Sequence, residues 1–348
     1  MGTGARQLAG GLGRIIAVLP TYLHHPIRKP ATAVAIVTAG IASLCGTSVC
    51  LERSPMNAII KLTANTKDVG GIPVARLLPQ AKKRTIGAWC FLDHAGPSVF
   101  APGEPGLQVG SHPHINLQTF TWMLAGEVLH KDSLGNEMLI KGNQVNLMTA
   151  GSGISHTEQT PPHSRELHAV QLWIALPKNQ TIAPAFQNYP DLPMWSADGI
   201  DHVLTTGSFG GHTAPTQQYS PIVGVDLKIA SAGARVLTLN PAFEYGFLVL
   251  KGCLKLDGET FGADELAYIA PGQAELAIHT DADTHIMLIG GEPLDFEPVI
   301  WWNFVAANKA EIETASQDWN QQSERFGHID TELKRLVAPA VPWAGSNT

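Results

Sequence analysis

HPHINLQTFTWMLAGEVLHKDSLGNEMLIKGNQVNLMTAGSGISHTEQT, His112–Thr160, is the stretch on which the reading of this chain turns. It opens with two histidines spaced i and i+2. It closes with His156-Thr157-Glu158, which repeats that spacing with an imidazole and a carboxylate. Between them lie two short apolar runs, Thr119–Leu124 and Gln144–Met148, parted by the turn-forming residues Asp132–Asn136. Side chains alternate sides along an extended chain, so each pair points to one side. Two such segments facing each other inside a barrel would bring together three imidazoles, from His112, His114 and His156, and the Glu158 carboxylate. This nitrogen and oxygen donor set suits Fe, Mn, Ni, Cu or Zn(II), and it lacks the thiolates of a structural zinc site. Four protein ligands on a six-coordinate divalent metal leave two positions for water, substrate or O₂.

The same alternation puts Asn116, Gln118, Phe120 and Trp122 on the histidine face. Asn116, Gln118 and Trp122 are therefore candidate pocket residues, and Phe120 reads as barrel filling. His94, just past the Ala88–Leu92 run, is a further pocket candidate. The isolated histidines His130, His163, His168, His202 and His328 read as hydrogen-bonded residues without a metal role.

Outward from this stretch the pattern repeats. Further strands are expected at Leu167–Leu176, Ile222–Ile229, Phe247–Leu250, Glu265–Ile269 and His285–Ile289, punctuated by Gly and Pro. HINLQTFTWMLAG (114–126) matches NPAFEYGFLVLKG (240–252) in length and apolar positions, and VNLMTAGSG (145–153) matches LAYIAPGQA (266–274). Two copies of a strand-rich unit predict an all-β chain of two tandem barrels. A chain of 348 residues has room for both. The one clear helix, Lys309–Gln322, begins behind Asn308 and Glu311, a capping-box pair.

Composition narrows the function classes. The chain is 44% hydrophobic and only 15% charged, with net charge −7, so a coiled coil and a nucleic-acid-coating role are both excluded. Four cysteines without a C-x-x-C pair make no disulfide framework. Fourteen histidines are the outlier. Residues 1–51 hold Arg6, Arg14, Arg28 and Lys29 and no acid, and residues 30–51 are uncharged. That stretch reads as a targeting or anchor segment, or as an artefact of start-site choice; a cytoplasmic protein is expected unless it is an anchor. The expected organisation is an extension (1–55), a metal-binding barrel (56–180), a Pro-, Asn- and Gln-rich connection (181–221), a second barrel (222–295), and a returning strand, helix and tail (296–348).

The His112–Thr160 run resembles the signature of the pirins, within the cupin superfamily. VGGIPVARLLP (69–79), FLDHAGP (91–97) and WWNFV (301–305) are also similar to pirin segments. The likeness spans about Met56 to Phe326. It departs at Ser111, where the family often has a basic residue, and at Ile115–Gln118, where it has a Gly and a Thr-rich strand.

The resemblance implies a bicupin in which only the first barrel binds metal, usually iron, through His112, His114, His156 and Glu158. In the second copy Thr238, Asn240, Ala277 and His279 stand at the corresponding places. It also implies that WWNFV returns as a strand to the body of the fold.

Two activities follow from the resemblance. One is a metal-dependent dioxygenase opening a flavonol such as quercetin with O₂, with Glu158 as general base. The other is a non-enzymatic regulator whose iron oxidation state tunes binding to a protein partner. A cupin acting on some other small metabolite is a third class.

Overall fold

The computed structural model describes residues 59–343. The expected extension 1–55 lies outside the described residues. No helix among the described residues is long and apolar enough to cross a membrane.

All eight expected strands form, Ile222–Ile229 and Glu265–Ile269 with the bounds expected. The first barrel is organised by one 16-residue strand, Leu117–Asp132. Its first half pairs with Gln144–Thr149, and its second half crosses to the opposite sheet to pair with Glu137–Lys141 and Ile154–Gln159. The crossing is made at Gly126, whose φ is +83°. A Cβ there would sit 2.1 Å from the Glu166 carbonyl oxygen, so only glycine fits. Gln108–His114 pairs with Ile154–Gln159 on that opposite sheet.

The second barrel repeats the plan, as the internal repeat predicts. Glu244–Lys251 lies between Glu265–Ile269 and Thr284–Gly291, as Leu117–Asp132 lies between Gln144–Thr149 and Glu166–Ala175. Gly252, the repeat mate of Gly126, has φ +81°. The barrels also exchange strands. Ile60–Thr63, at the start of the first barrel by sequence, pairs with Glu265–Ile269 of the second. The expected connection 181–221 carries Ala185–Tyr189, which extends the first barrel, and Ile200–Thr206, which extends the second.

Trp89, Phe120, Trp122, Leu250, Leu266 and Met287 share one buried core across the two barrels. Within the second barrel, Leu237, Leu239, Leu276 and Ile278 fill the interior. Ala277 and His279 face out from Glu275–Thr280. The residues that the repeat sets against His156 and Glu158 therefore lie on the outer face of this strand.

The helix spans Lys309–Asn320, with the Asn308 side chain accepting from the Glu311 amide at 3.0 Å. The reciprocal bond of a capping box is not made. The Glu311 carboxylate instead accepts from Asn116 Nδ2 at 2.6 Å, which ties the helix to the first barrel. WWNFV forms a hairpin of Val299–Trp301 and Phe304–Ala306, turned at Trp302 (φ +53°). Phe304 makes a parallel bridge to Ile115 of the barrel.

Candidate metal centre

His112 and His114 project from Gln108–His114, and His112 lies directly opposite His156 across the strand pair. The three rings are buried, and a ligand nitrogen of each lies within 4.8 Å of the others. His114 Nε2 and His156 Nε2 are 3.1 Å apart.

Backbone carbonyls set two of the tautomers. A carbonyl only accepts, so His112 Nδ1–H donates to Gly110 O (2.8 Å) and His114 Nδ1–H donates to Asn303 O (2.9 Å). Each ring is left with a bare Nε2 facing the cluster. Asn303 belongs to the WWNFV hairpin, so that hairpin orients a ring of the cluster. Burial holds the His112 imidazole down at about 4, and burial with neighbouring imidazoles holds His114 and His156 well below the ordinary histidine value. All three are neutral at pH 7 and keep the lone pair that a metal needs.

Glu158 lies two residues beyond His156, opposite both Val109 and His130. It stands outside the group of three ligand atoms. The residue is partly exposed, yet it sits deep among protein atoms, and desolvation pushes its carboxyl up to about 7. Converging imidazole lone pairs beside a carboxylate that burial disfavours are chemically suited to a divalent cation.

The four candidate pocket residues are placed elsewhere. Asn116 adopts φ +54°, interrupting the extended chain between His114 and Leu117, so the alternation starts afresh beyond it. Asn116 itself faces the helix through Glu311, and Gln118 donates to Thr149 Oγ1 (3.0 Å). Trp122 Nε1–H donates to Asp226 of the second barrel at 2.9 Å. Phe120, read as barrel filling, packs edge-on to Trp89 at 5.3 Å in the core between the barrels. His94 turns to the second barrel too, with Nδ1 2.6 Å from Asp264 Oδ1 and Nε2 2.8 Å from His168 Nε2.

Two features beside the cluster were missed by the sequence reading. Trp173, on Glu166–Ala175, stands edge-on to His114 at 5.2 Å and stacks on Phe91 at 4.0 Å. The Arg76 guanidinium lies over the other side of this pair, 4.5 Å from the Phe91 ring, and holds Asp93 through two bonds of 2.7 and 2.8 Å. His130, read as an isolated hydrogen-bonded histidine, has Nδ1 3.4 Å from His156 Nδ1 and Nε2 3.2 Å from Asp132 Oδ2. Its signal was present in His130-Lys131-Asp132, a third same-face pair on an extended chain.

Two barrels of this topology, one enclosing a histidine cluster and the other filled with apolar side chains, define a bicupin with one candidate metal centre among the described residues. Comparison with known proteins agrees. The pirin family model matches residues 71–174, and the model of the pirin C-terminal cupin domain matches residues 224–327. A Pseudomonas aeruginosa protein named "Putative quercetin 2,3-dioxygenase" is 50% identical, over 84% of this chain and 94% of its own length. A pirin-like protein of Caulobacter vibrioides is 34% identical, over 77% of this chain and 94% of its own. The crystal structure of a quercetin 2,3-dioxygenase from Acinetobacter baumannii superposes with a TM-score of 0.79 at 44% identity, covering 82% of this chain and 96% of that one. The chain belongs to the pirin family.

Proposed function

We propose that this protein is a metal-dependent dioxygenase that opens a flavonol-type, enolisable aromatic with O₂. The observation that carries the reading is the convergence of three buried, neutral imidazoles beside the Glu158 carboxyl and the Trp173 ring. The names of the 50% and 44% identical relatives support the same substrate class. In this reading His112, His114, His156 and Glu158 hold the metal, and iron is the ion proposed. Such a metal supplies Lewis acidity toward the enolate oxygen of the substrate and a redox partner for O₂.

The chain's own residues do the rest. Glu158 has a carboxylate oxygen to take the proton of the substrate hydroxyl as general base. Trp173, backed by Phe91, offers an apolar wall to a planar ring. In this reading the second barrel contributes no ligand, and the leucine, isoleucine and phenylalanine side chains that fill it support that.

The test is O₂ uptake by metal-loaded protein across a panel of flavonols, with carbon monoxide measured in the headspace. The reading predicts O₂ consumption matched by carbon monoxide release, abolished by a chelator. Full metal occupancy with no turnover of any flavonol, together with capture of a protein partner that changes on oxidation, would overturn it in favour of a regulator.

A further inference from the structure

By sequence His130 reads as a hydrogen-bonded residue without a metal role, and the proposed ligand set does not use Asp132. Both are nevertheless buried against His156, with side-chain exposures of 1% and 0%. Asp132 is held rigidly by the turn that follows it. Its Oδ1 accepts from the amides of Leu134 (2.9 Å) and Asn136 (3.1 Å), and its Oδ2 accepts from Asn136 Nδ2 (2.9 Å). Both carboxylate oxygens are thus occupied as acceptors of N–H groups, the pattern that favours the charged form. An ionised carboxylate only accepts, so His130 Nε2 is the nitrogen that carries the proton. The other ring nitrogen, Nδ1, faces His156 Nδ1. The matching arrangement is His156 Nδ1–H donating to His130, with the His156 Nε2 lone pair turned to His112 and His114. The opposite order would set the His130 Nε2 lone pair against a carboxylate. Phe186 stacks on His130 at 4.3 Å with planes 14° apart, which fixes the plane of the ring.

We propose that Asp132 and His130 are positioning residues that select the tautomer of His156 and aim its Nε2 into the cluster, so that the turn at Ser133–Asn136 controls the metal affinity of a ligand on another strand. The inference rests on the reading of the three histidines as a metal centre. It extends to the third ring what backbone carbonyls do for the other two. A partner of this kind, one hydrogen bond behind a ligand, is worth about 10–100-fold in metal affinity.

Zn(II) serves as the probe, because it is diamagnetic and its affinity can be read by chelator competition without any turnover. His130→Phe keeps an aromatic ring on Phe186 but removes both nitrogens. His130→Asn loses the ring but keeps an acceptor oxygen where Nδ1 stood. The expected result is a fall of about 10–100-fold in Zn(II) affinity for His130→Phe and near wild-type affinity for His130→Asn. Nitrogen-15 NMR of the zinc-loaded wild type should find His130 protonated at Nε2 and bare at Nδ1. That spectrum needs no variant to fold.

Equal affinities for wild type and His130→Phe would overturn the proposal. So would better binding by His130→Phe than by His130→Asn, which would mean that the ring matters only for packing, or a His130 protonated at Nδ1. Should the wild type bind no Zn(II) at all, the metal-centre reading falls together with the relay. Zinc binding indifferent to position 130 overturns the relay alone.

Discussion

In the proposed reading, Glu158 is the residue at which holding a metal and moving a proton can be separated. Glu158→Gln keeps the shape and one coordinating oxygen while removing the charge and the basicity. Metal should be retained in part, while turnover falls by about 10²–10⁴-fold, as for a lost general base. Steady-state rates and metal content measured on one preparation check this, and normal turnover with full metal would contradict it. At this scale the ligand candidates were legible, because a spacing of two residues on a strand means one face whatever the rest of the fold does. The pocket was not legible. The positive φ of Asn116 sits between His114 and Leu117 and restarts the alternation, so Gln118, Phe120 and Trp122 turn away from the cluster. Asparagine tolerates that conformation well, but nothing in Ile115-Asn116-Leu117 announces it. Trp173 was missed for a different reason. Its strand is apolar almost throughout, so sequence alone could not say which face was inward.

Among the elements, the long Leu117–Asp132 strand carries the construction of the site. One end of it holds the barrel's first sheet together. The other end carries His130 and Asp132, opposite Glu158 and His156 respectively. The bend at Gly126 joins those tasks. Gly126→Ala forces a Cβ against the Glu166 carbonyl and a left-handed conformation on a residue that resists it. The strain should cost about 1–3 kcal/mol or more, seen as a lower midpoint in denaturant. Metal affinity should weaken with it, because the far half of the strand is displaced. An unchanged midpoint would mean that the bend is not held there. The shared length and apolar positions of 114–126 and 240–252, each ending on a glycine, made this element legible in both copies. The facing of Glu275–Thr280 was not legible, because a match in length and apolar positions does not say which side of a two-residue period turns inward.

For the whole molecule, the buried imidazoles tie stability to pH. His112 and His168 are held at about 4, and His114 and His156 are also lowered, so between pH 6.5 and 4 the unfolded chain takes up protons that the fold refuses. Stability of the metal-free protein should therefore fall as pH drops from 6.5 toward 4. Glu158 works in the opposite direction between its ordinary value of 4.5 and about 7, and Asp93 above its own, but five histidines, His202 among them, are held low. Thermal melting of metal-free protein at pH 7 and pH 5 checks the sign, and a higher melting point at pH 5 would contradict it. The tandem barrels were legible because duplication leaves a repeat in the sequence. The strand exchange was not, because Ile60–Thr63 carries no mark of which barrel it joins, and that choice is made by a partner strand about two hundred residues away.

The central claim is that one barrel holds a metal on the histidine cluster and the other holds none. Elemental analysis of the purified wild type, His156→Ala and His279→Ala, each with a circular dichroism spectrum, tests it most directly. The wild type and His279→Ala should each carry about one divalent ion per chain, and His156→Ala should lose it while keeping a folded spectrum, since a site with one fewer ligand binds far more weakly but two packed barrels remain. Metal retained by His156→Ala, or lost from His279→Ala, would contradict the account.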